Sequence, residues 1–270
     1  MKNIFESESY RFFYATLSAA ANELQSRVGK PFEIKTKPDT SLVTAADLAS
    51  EKVILAKLAE SFPYDTVLAE ESGLSRVERA PGDYIWVIDP LDGTTNFANG
   101  YPFYCVSVGR GRFREDGSIE MVAGGVWDAP RGRFYYAELG KGAYVDGRRI
   151  SVAPNREFSR AFLVTGFYYN QGEQLQEQIH RFGRIASRCQ TIRRDGAAAL
   201  DMALVAEGVY DAFWELGLQP WDVAAGSLLV KEAGGVVRNY PDDRGSYYSI
   251  EGIGVIAGSE SVAKEIEALI

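Results

Sequence analysis

Asp89 and Asp92 stand three positions apart in Trp86-Val87-Ile88-Asp89-Pro90-Leu91-Asp92-Gly93-Thr94-Thr95-Asn96-Phe97. Ionised carboxylates only accept hydrogen bonds, and crowding two of them costs free energy unless a cation lies between them. Hard divalent cations such as Mg²⁺ take oxygen ligands of this kind. Asp89 ends the apolar run that starts at Tyr84, so it sits at the lip of a buried strand. The backbone carbonyl of Leu91 can turn toward the same cation. Gly93, Thr94 and Thr95 can open a helix, whose free N–H groups suit an anion. The chemistry suggested is a metal pair beside a phosphate. The ordinary alternative is a surface turn, since Asp, Pro and Gly all favour turns.

Other acids admit the same two readings. Glu70 and Glu71 follow the apolar Val67-Leu68-Ala69. They are solvated acids where a strand leaves the core, or Glu70 is a further metal ligand that holds an attacking water. Asp222, ahead of an apolar helix, reads as an N-cap, and a capping Asp can also aim one oxygen at a metal. Thr44 and Asp47 have the spacing of a capping box, though that motif prefers Glu or Gln at its last position. Asp195-Gly196-Ala197-Ala198 opens a helix with small residues, as plain helix start or as N–H groups presented to a ligand. Glu215 ends a strand as a surface charge or a ligand acceptor. His180, the lone histidine, falls within a helical pattern and reads as a surface residue. A His-based triad or zinc site is therefore unsupported, and neither a P-loop nor a dinucleotide fingerprint is present.

Composition bounds the rest. The 270 residues allow one large domain or two modest ones, and 46 % hydrophobic with 24 % charged is ordinary for a soluble protein. No apolar run approaches the ~18 residues of a membrane span, and residues 1–8 lack a signal-peptide core, so the expected location is cytoplasmic, with no membrane partner. A net charge of −8 argues against binding a nucleic-acid backbone. Cys105 and Cys189 suit a reducing compartment and pack as small apolar residues.

These residues need elements to position them. Phe13, Leu17, Ala20, Leu24 and Val28 predict one helix, ended by Gly29 and Pro31; Leu48, Leu55, Leu58 and Phe62 predict a second. Residues 35–41 read as a loop. Strands are predicted at 66–70, 84–89, 103–111, 120–127 and 133–138, with Asp116-Gly117 as a hairpin turn. This half reads as two helices on an antiparallel sheet. Later residues alternate: strands at 161–165, 189–193, 209–215 and 253–257, and helices at 175–186 (Leu175, Ile179, Phe182, Ala186), 197–207 and 223–233. That pattern implies a mixed sheet with helices on its faces. The expected fold is α/β, with an α+β subdomain over 1–145 and an α/β subdomain over 146–270. The boundary lies in the Gly- and turn-rich stretch 140–154.

Together these segments resemble the inositol monophosphatase family of metal-dependent, lithium-sensitive phosphatases. Asp89-Pro90-Leu91-Asp92-Gly93-Thr94-Thr95-Asn96-Phe97 is similar to its first signature, and Trp221-Asp222-Val223-Ala224-Ala225-Gly226 through Glu232-Ala233-Gly234-Gly235 to its second. Ala69-Glu70-Glu71-Ser72 and Val43-Thr44-Ala45-Ala46-Asp47 match two further elements in order. The resemblance implies a layered αβαβα sandwich and a Mg²⁺-dependent phosphomonoesterase acting on myo-inositol 1-phosphate or a similar small polyol phosphate. It implies metal ligation by Glu70, Asp89, Leu91 (carbonyl), Asp92 and Asp222, with two to three Mg²⁺ per site. Glu70 and Thr94, supported by Asp47, would activate the water. Asp92, Gly93, Thr94, Thr95, Gly196, Ala197, Ala198 and Glu215 would contact substrate. A homodimer is expected, as in many relatives.

Two departures bear on substrate. Ser41 stands where many inositol-type members carry Asp, with Asp39 two residues earlier, as in histidinol-phosphatase relatives. Gly196-Ala197-Ala198-Ala199 lacks the hydroxyl of the usual Gly-Ser/Thr-Ala-Ala element. In contrast, the segment from Glu215 to Asp222 looks like the inositol type. Fructose 1,6-bisphosphate, histidinol phosphate and a 3′-phosphonucleotide are the alternative substrates. A metal-binding regulatory or scaffold protein is the non-enzymatic alternative.

Overall fold

The strand β5 (Tyr84–Asp92) is buried on both faces, and its alternating side chains enter two different cores. Ile85 and Val87 join one, Trp86 and Ile88 the other. A strand flanked by apolar layers on both sides has no polar face, which explains the unbroken apolar run. The computed structural model describes residues 4–30, 34–36, 42–75, 80–167, 173–240, 249 and 254–270. Asp39 and Ser41 lie outside them, as does Ile253 at the start of the last predicted strand.

The chain begins with α1 (Glu8–Gln25), the short pair β1 (Ile34–Thr36) and β2 (Leu42–Thr44), then α2 (Ala45–Ser61). Next come β3 (Thr66–Ala69), β4 (Gly73–Leu74), β5 and the five-residue α3 (Thr94–Ala98). The strands β6 (Cys105–Phe113), β7 (Ile119–Asp128), β8 (Arg133–Glu138), β9 (Gly142–Val145) and β10 (Arg148–Ile150) follow. They build an eight-stranded sheet in the order β10-β9-β8-β7-β6-β5-β3-β4. Then come β11 (Phe162–Thr165), α4 (Glu173–Ala186), β12 (Thr191–Arg193), α5 (Ala198–Ala206), β13 (Ala212–Leu216) and α6 (Pro220–Glu232). The chain closes with β14 (Val236–Asn239), β15 (Gly254–Gly258) and α7 (Glu260–Glu267), and the second sheet runs β12-β11-β13-β15-β14.

Five layers result. The core between α1, α2 and the first sheet holds Phe13, Leu17, Ile54, Trp86 and Tyr136. The core around α5 and α6 lies between the sheets and draws on both, from Val87 to Phe213. The third packs α4 and α7 on the outer face of the second sheet, through Ile185, Val262 and Trp214. This is the expected αβαβα sandwich, and no described helix is long and apolar enough to cross a membrane.

Several expectations need correction. The first sheet is not wholly antiparallel: β3 runs parallel to β5, with Ala69 opposite Ile88. That pairing brings the chain after β3 alongside the end of β5, where Asp89 lies. The stretch 140–154 holds the hairpin β9–β10, extending the first sheet to Ile150. Val28, Leu48 and Ile179, taken as core positions, are exposed. Val28 lies past the end of α1, and on α2 the inward position is Ile54. Both cysteines are free, and His180 is exposed.

Candidate active site

The site forms where β3, β5, α2, α5 and α6 converge at their ends. After Ala69 the chain keeps one more sheet-like bond, Glu70 N–H donating to the Ile88 carbonyl at 3.1 Å. Glu70 is thereby set beside Asp89, and the two carboxyl groups share a hydrogen bond. The Glu71 N–H donates to Glu51 of α2 at 3.0 Å, holding this turn against the helix.

The acidic turn is an irregular strand end. Pairing with β6 shifts register between Asp89 and Asp92, so both acids come to the same edge of the sheet. The Leu91 N–H donates to Asp89 Oδ1 at 3.0 Å, and Ser50 of α2 donates to the Pro90 carbonyl at 2.7 Å. Gly93 then turns the chain with φ of 91°. A side chain there would strain the backbone and press its Cβ to 3.0 Å from the Phe103 carbonyl.

Asp47 is fully buried and sits at the third helical position of α2, with Thr44 as N-cap. Its Oδ2 accepts from the Thr44 N–H at 2.8 Å and from the Thr44 hydroxyl at 2.6 Å. Its Oδ1 lies 2.9 Å from the Thr94 hydroxyl, which is also 3.0 Å from the Leu91 carbonyl. Thus one oxygen of Asp47 serves the cap of α2 and the other meets the Thr94 hydroxyl. Asp222 is corrected from N-cap to the third position of α6: Gln219 is the cap, and its N–H donates to Asp222 Oδ2 at 2.7 Å.

The second half of the chain reaches Asp92 through backbone. The Ala199 N–H, in the first turn of α5, donates to Asp92 Oδ2 at 2.7 Å. Spacing gave no hint of this contact, because any residue can supply an N–H. Asn96 is the other unforeseen residue. Its side-chain amide donates to the carbonyls of Phe103 at 2.7 Å and Asp195 at 2.8 Å, tying α3 to the segment before α5. A polar residue inside the short helix α3 was the available signal. Gly196 is exposed at φ of 83°, whereas Ala197 and Ala198 are buried. Ala197 packs toward Gly93, its methyl 3.2 Å from where a Gly93 Cβ would lie. Thr95 is exposed on α3. Glu215 stands on β13, opposite Val255 of β15.

Electrostatics binds these groups into one unit. Burial raises Asp89 well above the usual carboxylate range, and Glu70, Asp92 and Asp222 push it further. Burial lifts Asp92 to about 6, against the Ala199 hydrogen bond and with Glu70 adding to the rise. Asp222 is raised well above its ordinary value by burial and then by Asp92. Burial and Asp92 push Glu215 up to about 8, with Arg194 acting the other way. Such mutual repulsion is relieved by protons or by cations. Among the described residues no three His, Cys, Asp or Glu side chains stand in ready-made coordination geometry. The donors nevertheless fit Mg²⁺: all are hard oxygens, they converge from three segments, and their own repulsion favours a divalent ion.

The sequence profile of the inositol monophosphatase family matches residues 6–270, and the chain belongs to that family. It is 39 % identical over 235 residues to "Nus factor SuhB" of Pseudomonas aeruginosa, covering 86 % of this chain and 84 % of the relative. The extragenic suppressor protein suhB of Bartonella henselae superposes with a TM-score of 0.87 at 32 % identity, covering 97 % and 98 % of the two chains. Inositol monophosphatase from Anabaena superposes at 0.80 with 34 % identity, covering 96 % and 93 %.

Proposed function

We propose that the protein is a Mg²⁺-dependent phosphomonoesterase acting on myo-inositol 1-phosphate or a similar small polyol phosphate. The carrying observation is the convergence of Glu70 after β3, Asp89 and Asp92 at the end of β5, and Asp222 at the start of α6 into one mutually repelling group of carboxyls. These carboxylates, with the Leu91 carbonyl, would hold the metal ions. Bound Mg²⁺ would make a water more acidic and neutralise charge on the phosphoryl group and leaving oxygen.

The chain's own groups do the rest. Thr94 spends its hydroxyl hydrogen on Asp47, leaving its lone pairs to accept from the attacking water. Glu70 takes the water's proton. The phosphate rests on Gly93, Thr94 and Thr95, where backbone N–H groups lack helical partners. Glu215 accepts hydrogen bonds from the alcohol, beside Gly196, Ala197 and Ala198. We further propose a homodimer in the cytoplasm, inhibited by Li⁺ in competition with Mg²⁺.

The experiment is phosphate release from myo-inositol 1-phosphate with Mg²⁺, run beside fructose 1,6-bisphosphate, histidinol phosphate and a 3′-phosphonucleotide. The highest kcat/KM is expected for the inositol ester. No release from any of them by folded protein would sink the reading. A second reading comes from the relative named a Nus factor: a regulatory or scaffold role within a transcription assembly, without turnover. The charge of −8 favours a protein contact over a nucleic-acid one in that role. If Asp92→Asn abolishes hydrolysis and keeps the cellular effect, this second reading gains.

A further inference from the structure

Gly166 directly follows β11, and Glu215 lies on the parallel neighbour β13, where Thr165 is in register with Trp214. A Cβ built on Gly166 would lie 2.1 Å from each Glu215 carboxylate oxygen and 2.2 Å from Cδ. The carboxylate therefore occupies the space that any other residue's side chain would take. Gly166 is not in the left-handed region, so room, and not backbone freedom, explains the glycine. The two strand ends are locked together: the Thr165 hydroxyl donates to the Trp214 carbonyl at 2.5 Å. On the other edge of β13, Gly254 pairs with Leu216, and a Cβ there would meet the Tyr240 carbonyl at 2.3 Å. The backbone of Glu215 is thus fixed by both neighbouring strands, and only its carboxylate has freedom to be set.

We propose that Gly166 is a specificity-determining positioning residue: by leaving its Cβ space to the Glu215 carboxylate, it fixes where that carboxylate accepts hydrogen bonds from the leaving polyol. This rests on the reading of Glu215 as the contact to the substrate alcohol. A methyl at 166 would drive the carboxylate to another rotamer, and a displacement of about 1 Å or more breaks an aligned hydrogen bond.

The test uses the full chain with Mg²⁺ and the variants G166A, E215A and E215A/G166A. G166A is expected to raise KM for myo-inositol 1-phosphate about tenfold, as for one lost charged hydrogen bond. Its effect on kcat/KM for p-nitrophenyl phosphate, which has no polyol hydroxyls, should be several times smaller. In the E215A background the methyl meets no carboxylate, so adding G166A should change KM by less than about twofold. An unchanged KM in G166A overturns the proposal, and so does an equal loss on both substrates. Melting curves read the same contact without turnover: G166A should melt below wild type, and E215A/G166A above G166A. If the paired variant melts as low as G166A, or fails to fold as G166A does, the carboxylate is not what fills the space and the proposal falls. Wild-type protein inactive on every ester would sink the phosphatase reading alone, because melting still decides the Gly166–Glu215 contact.

Discussion

The Thr94 hydroxyl and Asp47 Oδ1, 47 positions apart in sequence, stand 2.9 Å from each other. The other oxygen of that carboxylate caps α2 through Thr44. One buried acid therefore joins a helix start to the turn that carries Asp89 and Asp92. Asp222 repeats the arrangement on α6, bound to Gln219 and electrostatically coupled to Asp92. Helix capping thus orients two of the site's acids without any further scaffold.

Thr94→Val should separate chemistry from stability. It removes the hydroxyl while keeping the side chain's shape, so kcat should fall by ~10²–10³ with KM little changed. Asp47→Ala should lose activity as well, and also lose a cap, about 1–2 kcal/mol or a few degrees of Tm. Steady-state kinetics and calorimetry on both variants decide the point. Retention of most of kcat in Thr94→Val removes Thr94 from the proton path.

Asp92→Asn should uncouple metal binding from folding. Asparagine keeps an oxygen to accept from the Ala199 N–H, and it deletes one of the repelling carboxyls. In EDTA the variant should melt at or above wild type. Mg²⁺ at about a hundred times its Kd should stabilise wild type by about 2.7 kcal/mol, and the variant by a small fraction of that. Equal Mg²⁺ shifts in the two proteins would take Asp92 out of the ligand set.

Glu207 supplies an acid-side stability limb away from the site. It follows α5, where the helix dipole disfavours an anion, and burial raises it further. Hydrogen bonds from Arg133 and Tyr135 outweigh both, and its carboxyl lies below its ordinary value of 4.5. A depressed folded-state value means stability that is full above the unfolded value and lost as pH falls through the folded one. Wild-type Tm should drop more steeply below about pH 4.5 than that of Glu207→Gln. At neutral pH the variant should already be lower by roughly 1–3 kcal/mol, because Arg133 and Tyr135 lose a charged acceptor. Parallel Tm–pH curves would count against this.

The acids of the site were legible because ordinary turns and caps do not need so many carboxylates at strand and helix ends. Glu70, Asp89, Asp92 and Asp222 each had a plain structural reading, and the family resemblance, through the order of its motifs along the chain, favoured the other. The layers were legible too, since β5 is apolar on both faces and the later residues alternate strand with helix. The parallel pairing of β3 with β5 was not, because side-chain pattern does not encode strand direction. The hairpin β9–β10 read as a linker, since its glycines and short strands carry the composition of a loop. Backbone donors such as Ala199 leave no mark on residue type. Gly166 left only a glycine, whose reason lies 49 positions away across the Thr165–Trp214 register.

Asn96 gives the sharpest test of how the two halves of the site are held in register. Its amide donates to the Asp195 carbonyl, linking α3, under the proposed phosphate seat, to the segment that presents Gly196 and Ala199, and to the Phe103 carbonyl ahead of β6. Asn96→Ala leaves two carbonyls without their donor, about 1–3 kcal/mol. The larger effect should fall on catalysis, because the Ala199 N–H fixes Asp92 only while the start of α5 stays docked. A shift near 1 Å at that point is enough to cost about a hundredfold in rate. The expected outcome is a kcat loss well beyond the change in Tm, with Mg²⁺ affinity reduced in the same variant. If Asn96→Ala lowers Tm while kcat and Mg²⁺ affinity stay at wild-type values, the amide is a packing feature, and Asp92 owes its placement to β5 alone.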